Sequence, residues 1–150
     1  MNANSTSFWI GKKTSAYCPP NVPEMGGVCP PGKDTVLVGG SALNVEVPGG
    51  QQVYIAPGGA LKFTAPHSAS MPPGSIKSGF EYEPGNPFGH WTWKGQSGSG
   101  WMACPADGAY QVFANVKDAE VPSGNVADCI GFDAMAVADK SNSPAAWEYA

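Results

Sequence analysis

The residues with the most definite chemistry in this chain are its four cysteines, Cys18, Cys29, Cys104 and Cys129. An even number of cysteines in a small acidic chain favours disulfides formed in an oxidising compartment, whereas zinc would need C-x-x-C pairs or histidines at ligand spacing. Three pairings are open. Because a short loop loses the least entropy on closure, we favour Cys18–Cys29 and Cys104–Cys129. The first bridge would hold the segment CPPNVPEMGGVC, which has no apolar core of its own.

The aromatic residues are the second group with a defined chemistry. Trp91 and Trp93 are two residues apart, so their rings share one face of a strand. Exposed rings in this arrangement stack on sugars, whereas buried rings fill a core. A chain of this size must bury several large side chains, so we favour the core. Sugar stacking by Trp91, Trp93 and Tyr82 remains the alternative, and Trp101 has the same ambiguity.

Two carboxylates have a spacing that is compatible with glycoside hydrolysis. Glu81 and Glu83 would lie on one face of a strand, about 6–7 Å apart. Two glutamates on a solvent face are the favoured interpretation. His67 precedes Ser68 in a proline-rich loop that lacks a G-x-S-x-G motif, and the remaining carboxylates are too scattered for a calcium loop. We therefore expect no catalytic residue, no metal site and no cofactor.

One modification motif is present. Asn4 begins Asn-Ser-Thr, the only N-glycosylation sequon in the chain, and its place near the N-terminus would suit an exposed glycan. The opening residues MNANSTSFWIG contain no apolar signal-peptide core. We therefore expect a secretory signal to have been removed if the chain is secreted.

Composition limits the classes of function. The net charge is −4 and all eight basic residues are lysine, so the basic, arginine-bearing face of a nucleic-acid-binding protein is missing. No apolar run approaches the roughly 20 residues that a membrane helix needs. The chain has 20 glycines and 15 prolines, but 11% of its residues are aromatic, which is more than disordered chains contain. Residues 1–150 are expected to form one domain.

Short alternating or β-branched segments, each closed by glycine or proline, predict the elements that hold these residues. In SALNVEV (41–47) the apolar residues share one face, which is typical of a half-buried antiparallel strand. AYQVFANV (109–116) and CIGFDAMAVA (129–138) are predicted to be central strands. HWTWKG and GWMAC, joined by QSGSG, predict a hairpin. About ten such strands indicate an all-β fold, an antiparallel β-sandwich or β-barrel stapled by disulfides.

Two segments lie outside this pattern. Residues 18–33 are predicted to form a Pro/Gly-rich disulfide loop. The tail, 139–150, is polar but carries Trp147 and Tyr149, so we expect it to pack back onto the sheet.

Several segments resemble the fungal PhiA-like cell-wall proteins, which are often labelled IgE-binding proteins. The most specific ones surround Cys104 and Cys129: GWMACP, AYQVFANV and PSGNVADCIGFDAMAV. SFWIG, CPPG, LNVEVPGGQQVYIAPGGALKFTAPHSASMPPGS and GNPFGHWTWKG are similar to the same family. The resemblance therefore covers nearly the whole chain.

The resemblance implies a secreted β-protein of the fungal surface or medium, without established catalytic residues. Some such proteins contribute to cell-wall or spore development. Others are recognised by hosts, as allergens or as elicitors of plant defence and the hypersensitive response. We therefore expect a non-enzymatic elicitor whose partner is a host cell-surface receptor. The alternative is a structural or carbohydrate-binding protein whose partner is a cell-wall polysaccharide. Loops 18–33 and 66–75 are the candidate recognition sites, because loops on a rigid scaffold usually carry recognition.

Overall fold

The computed structural model describes residues 1–150 and contains fourteen short strands, one helix of four residues and one 3-10 turn. The strands are β1 (Asn2–Asn4), β2 (Ser7–Ile10), β3 (Ala16–Tyr17), β4 (Leu37–Val38), β5 (Ala42–Leu43), β6 (Val53–Ile55), β7 (Leu61–Phe63), β8 (Phe80–Glu83), β9 (Gly89–Trp93), β10 (Gly98–Ala106), β11 (Ala109–Val116), β12 (Ile130–Phe132), β13 (Ala134–Ala136) and β14 (Glu148–Tyr149). The helix α1 is Asn21–Glu24, and the 3-10 turn is Val126–Asp128.

The strands form two main antiparallel sheets. The larger has the order β12-β10-β11-β2-β7-β6, with β1 paired to β2, and the smaller has the order β13-β9-β8. Two further pairs, β14–β3 and β4–β5, complete the fold. The larger sheet is an open path with β12 and β6 at its ends. The prediction of an antiparallel all-β fold is confirmed, in its sandwich form rather than as a closed barrel.

The main core lies between the two sheets. Its largest fully buried side chains include Trp93 from the small sheet and Trp101, Phe8 and Phe63 from the large sheet. The rings of Trp91 and Trp101 stack with centroids 4.9 Å apart, which joins the sheets directly. Aromatic side chains of this size bury about 150–250 Å² each, so they dominate the energetics of a core this small.

A second, smaller core covers the opposite face of the large sheet. It consists of Met102, Cys104, Phe113, Ala119 and Val121. The Cys104–Cys129 disulfide ties the segment after β11 onto this face. Both faces of β10 are therefore covered, which explains why four successive residues, 101–104, are buried instead of alternating with exposed ones.

The segment 129–138 is not a central strand, and that prediction is wrong. It forms two edge strands, β12 in the large sheet and β13 in the small one, on either side of Asp133. Ile130 and Met135 are 63% and 64% exposed. An apolar run has the same appearance in an edge strand as in a central one, because sheet membership depends on distant partners.

The hairpin predicted between HWTWKG and GWMAC forms only at its turn, where Lys94 and Ser99 make an antiparallel bridge and the amide of Gly95 donates to the carbonyl of Gly98 (3.0 Å). Beyond this turn the strands separate, because β9 belongs to the small sheet and β10 to the large one. A register irregularity follows Gly98. The glycine-rich segment is therefore a corner of the sandwich. A complete hairpin joins β10 to β11 through Asp107–Gly108, both at positive φ, and Asp-Gly is a strong signal for such a turn.

Gly95 tests this corner. A Cβ atom placed on Gly95 would lie 2.0 Å from Cζ2 of Trp93, so the buried indole leaves no room for a side chain. We expect Gly95→Ala to lower the free energy of unfolding by about 1–3 kcal/mol, as overpacking does. The control is Gly131→Ala, because the nearest atom to its Cβ would be 4.0 Å away. Urea unfolding of both variants is the measurement, and equal stabilities would contradict the packing described.

The C-terminal tail docks onto the sandwich. Tyr149 is fully buried; its hydroxyl donates to the carbonyl of Asp34 (2.7 Å) and accepts from the amide of Val36 (3.1 Å). The buried Gln51 side chain donates to the Tyr149 carbonyl and accepts from its amide. Because β14 also pairs with β3, the tail holds the chain just before Cys18.

Tyr149 makes stability sensitive to alkaline pH. Burial raises the pKa of Tyr149 above its usual value of 10.0. The folded state therefore keeps the phenol proton at a pH where the unfolded state loses it, and stability falls as pH rises above 10. In Tyr149→Phe we expect a loss of about 1–2 kcal/mol at neutral pH, from the two lost hydrogen bonds, and a shallower fall above pH 10. Urea unfolding between pH 7 and 11 measures both. Burial also raises the pKa of Tyr54, but that contribution is the same in the wild type and in the variant. An equal fall of stability above pH 10 in both proteins would therefore contradict the raised pKa of Tyr149.

Candidate functional site

The disulfide Cys18–Cys29 closes an exposed loop on the surface of the fold. We call residues 18–29 the disulfide loop. Its first limb follows β3, which pairs with β14. Three residues after Cys29, the amide of Gly32 donates to the carbonyl of Ala145 (2.9 Å), and a Cβ on Gly32 would lie 2.6 Å from that of Ala16. Both ends of the loop are thus held against the C-terminal tail.

The disulfide loop presents apolar side chains to solvent. Met25 is 82% exposed and Val28 is 84% exposed, and no residue of α1 is buried. Tyr17, just before the loop, is 51% exposed. Glu24 is the only charged residue of the loop. Exposed apolar residues are common singly, but here two lie on a crosslinked support that buries neither of them.

The loop 66–75 has a different character. Its residues are mostly exposed, and the few hydrogen bonds of its side chains run to its own backbone, as from Ser75 to Pro72. His67 is at positive φ and exposed. The loop ends where Ile76 pairs with Ile55. It lacks the exposed apolar side chains of the disulfide loop, which therefore is the stronger candidate for a contact with a partner.

Trp91 and Trp93 do not form a platform for sugars. They are 3% and 1% exposed, and their indole N–H groups donate to the carbonyls of Gly40 (2.8 Å) and Ser78 (3.2 Å). Trp91 is also stacked between Phe80 and Trp101. Their faces are covered by the sandwich core, which corrects the stacking hypothesis for both. Trp101 is likewise buried.

Tyr82 is the one proposed stacking residue with an open ring. It is 44% exposed on β8, an edge strand, and its Cε2 would lie 3.0 Å from a Cβ on Gly89, so the ring rests over that glycine. Phe88 is 40% exposed and packs edge-on to His90, with ring centroids 6.5 Å apart. Tyr82 pairs with Trp91 and His90 with Glu83, so Tyr82 and His90 lie on opposite faces of the sheet. The rings of Tyr82 and His90 therefore do not form one flat surface on which a sugar could stack.

Glu81 and Glu83 lie together on the exposed face of β8. Glu81 forms the one salt bridge of the structure, with Lys94 at 2.9 Å, and its hydrogen bond and charge raise the pKa of Lys94. Glu83 faces His90 across the strand pair. Both carboxylates are exposed to solvent, whereas a glycosidase site encloses its sugar between the two carboxyl groups.

The sequence gives no signal for the contact between Ser7 and Lys62, because the two residues are 55 positions apart and meet only where β2 pairs with β7. The Lys62 amine donates to the Ser7 hydroxyl at 3.2 Å, and burial lowers the pKa of Lys62. Lysine serves as the base for serine in some hydrolases. Ser7 is only 4% exposed, so its hydroxyl is out of reach of a substrate and the pair is structural.

Two depressions also lie on the surface of the fold. A depression of about 420 Å³ beside the Asp107–Gly108 turn and one of about 150 Å³ beside Gly58 and Gly59 each contain one carboxylate. No three His, Cys, Asp or Glu side chains are grouped as metal ligands would be. No helix of the fold has the length and apolarity needed to cross a bilayer. Asn4 lies at the end of β1, partly exposed.

Comparison with known proteins places these features in a family. The chain matches the family described as PhiA-like secreted protein over residues 1–150. It is also 45% identical, over 99% of its length and 76% of the relative's, to an uncharacterized secreted protein of Arthroderma benhamiae. No solved structure matches. The predicted family and the secreted location are confirmed, and the chain belongs to the PhiA-like secreted proteins, which makes it an extracellular fungal protein.

Proposed function

We propose that this protein acts outside the fungal cell by being recognised, through its disulfide loop, by a receptor on the surface of a host cell. The response is an elicitation of plant defence and hypersensitive cell death, and no catalysis by the protein is involved. The observation that carries the proposal is the exposure of Met25 and Val28 on a crosslinked loop.

Preorganisation supports this role. A flexible loop loses conformational entropy when it binds, at about 0.5–1.5 kcal/mol for each side chain that becomes immobile. The bridge Cys18–Cys29 and the contacts of Gly32 and β14 hold the backbone of the disulfide loop before any partner arrives. Less of the free energy gained by burying the apolar side chains is then lost to ordering the loop, so the affinity is higher.

The chemistry of the loop supports a partner with an apolar surface. With Glu24 as its only charge, the loop fits an apolar pocket on a receptor better than a charged surface. Burial of two apolar side chains contributes about 1.5–3 kcal/mol each. Since few charges take part, binding should depend weakly on ionic strength.

The proposal is tested by infiltrating purified, folded protein into leaves of several plant species beside a reduced and heat-unfolded control. Cell death and an oxidative burst caused by the folded protein alone are the expected result. A response of equal size to the unfolded control would mean that a linear peptide is recognised, and the structural account would then fail. Silence in every species would remove the role of elicitor.

A second function, binding of a cell-wall polysaccharide, is favoured by Tyr82. Its ring is the one candidate stacking residue that is open to solvent, at 44% exposure on the edge strand β8. Retention of the protein on insoluble chitin or β-glucan, lost in Tyr82→Ala and kept in Tyr110→Ala, would support it. Tyr110 is the matched control because it is 40% exposed on a different sheet. If the wild type, Tyr82→Ala and Tyr110→Ala were all recovered in the wash, with none retained on the polysaccharide, this function would be excluded.

A further inference from the structure

We propose that Asn4 is N-glycosylated in the secreted protein. Asn4 begins the only Asn-x-Ser/Thr sequon of the chain, and residue Ser5 between the two recognised positions is not proline. Membership of a secreted family means that the chain passes through the compartment where such sequons are modified. The sequence motif alone is weak, but the structure adds three observations that suit a glycan at this position.

The first observation is the place of the sequon in the fold. Residues Ser5 and Thr6 form the two-residue turn between β1 and β2, both at positive φ (51° and 58°). β1 pairs with β2 alone and lies off the main path of its sheet. Ser5 is exposed at the tip. A glycan on Asn4 therefore extends from a peripheral turn, away from both cores.

The second observation concerns the hydrogen bonds of the Asn4 amide. Nδ2 carries two hydrogens, and the structure gives it one acceptor, the carbonyl of Lys13 at 2.9 Å. The Oδ1 atom accepts from the hydroxyl of Ser5 at 2.8 Å. A glycosylated amide retains one N–H, which suffices for the bond to Lys13. Glycosylation replaces one of the two hydrogens, and the other is available for the bond to Lys13.

The third observation concerns timing. In the folded protein the amide of Ser5 donates to the carbonyl of Ala150, and the Trp9 indole donates to the carbonyl of Asn4. Because these contacts hold the backbone of the sequon in the folded protein, we expect the transfer to precede formation of the hairpin. The glycan comes from a lipid-linked pyrophosphate donor: its C1–O bond breaks, the lipid pyrophosphate leaves, a new bond joins C1 to Nδ2, and the displaced Nδ2 proton passes to a base.

The test is the intact mass of the full chain secreted from a yeast host, before and after treatment with peptide N-glycosidase. We expect a mass above that of the polypeptide, a loss of the excess on treatment, and aspartate at position 4 afterwards. Asn4→Gln and Thr6→Ala should lack the excess mass, and Thr6→Ser should keep it. Asn2→Gln is the matched control, because Asn2 makes the same type of bond, to the carbonyl of Lys12, outside a sequon. A wild-type mass equal to the polypeptide alone, or an excess that survives in Asn4→Gln, would overturn the assignment.

Discussion

Replacing Trp101 by alanine is expected to lower the free energy of unfolding by about 3–5 kcal/mol, the range for a fully buried tryptophan. Trp101 is 1% exposed, stacks on Trp91 and lies within 6.2 Å of Phe80, ring centroid to centroid. Its N–H donates to the carbonyl of Trp91 at 3.0 Å, so the substitution also removes a bond between the two sheets. Small domains are stable by only about 5–15 kcal/mol, so this loss is a large fraction of the total stability.

The control is Tyr82→Ala, since this aromatic side chain is 44% exposed. Surface substitutions usually change stability by about 0.5 kcal/mol or less, and we expect that here. Urea unfolding followed by far-UV circular dichroism measures both without relying on tryptophan emission. If Trp101→Ala were as stable as the parent, the tryptophans would not form the core, and their assignment as structural residues would be wrong.

The second large effect is expected from the disulfide Cys104–Cys129. Replacing both cysteines by alanine should cost about 2–5 kcal/mol, because the unfolded chain gains the entropy of an open loop and the small core loses its tie. Cys104 is fully buried beside Met102 and Phe113, so its packing is lost as well. We expect a lower urea midpoint and faster amide exchange in the segment that follows β11.

The matched variant removes the other bridge, with alanine at Cys18 and Cys29. Here we expect a smaller loss, up to about 2 kcal/mol, because the freed loop gains conformations in the folded protein too and no buried contact is broken. Protease cleavage confined to residues 18–29, with the two sheets intact, is the diagnostic result. A larger loss of stability from this bridge than from Cys104–Cys129 would contradict the distinction between an exposed loop bridge and a bridge that holds a core.

Local signals in the sequence predicted the kind of fold and many of its strands. AYQVFANV coincides with β11, and Leu43 and Val47 are both buried, as the alternation of SALNVEV indicates. The regular strand there is only Ala42–Leu43, because Val45 meets Ala146 of the tail in an isolated bridge. The assignment of strands to sheets was not predictable. At Gly95 and Asp133 the chain changes sheets, and that choice depends on partners far along the sequence.

The candidate site was predictable in part. Two cysteines around a proline-rich segment identified the disulfide loop, because such a segment cannot be held by a core. Burial of Trp91 and Trp93 was favoured because a small sandwich needs large apolar side chains to fill its core, and both residues are buried. The exposure of Met25 and Val28 could not be predicted, because the sequence of a loop does not show whether another part of the chain covers its apolar side chains. Pairing of Ser7 with Lys62 depended on strand order and had no local signal.

The central claim is that the disulfide loop is the part of the protein that a host recognises. The most direct measurement is the lowest concentration that triggers an oxidative burst in a responsive leaf, for the wild type, for Met25→Ser/Val28→Ser and for Ile130→Ser/Met135→Ser. The control pair is 63% and 64% exposed and belongs to β12 and β13, outside residues 18–29. With all three proteins equally folded, we expect the loop variant to need roughly tenfold more protein or higher, as the loss of about 1.4 kcal/mol or more implies, and the control to match the wild type. Equal thresholds for the loop variant and the wild type would contradict the claim.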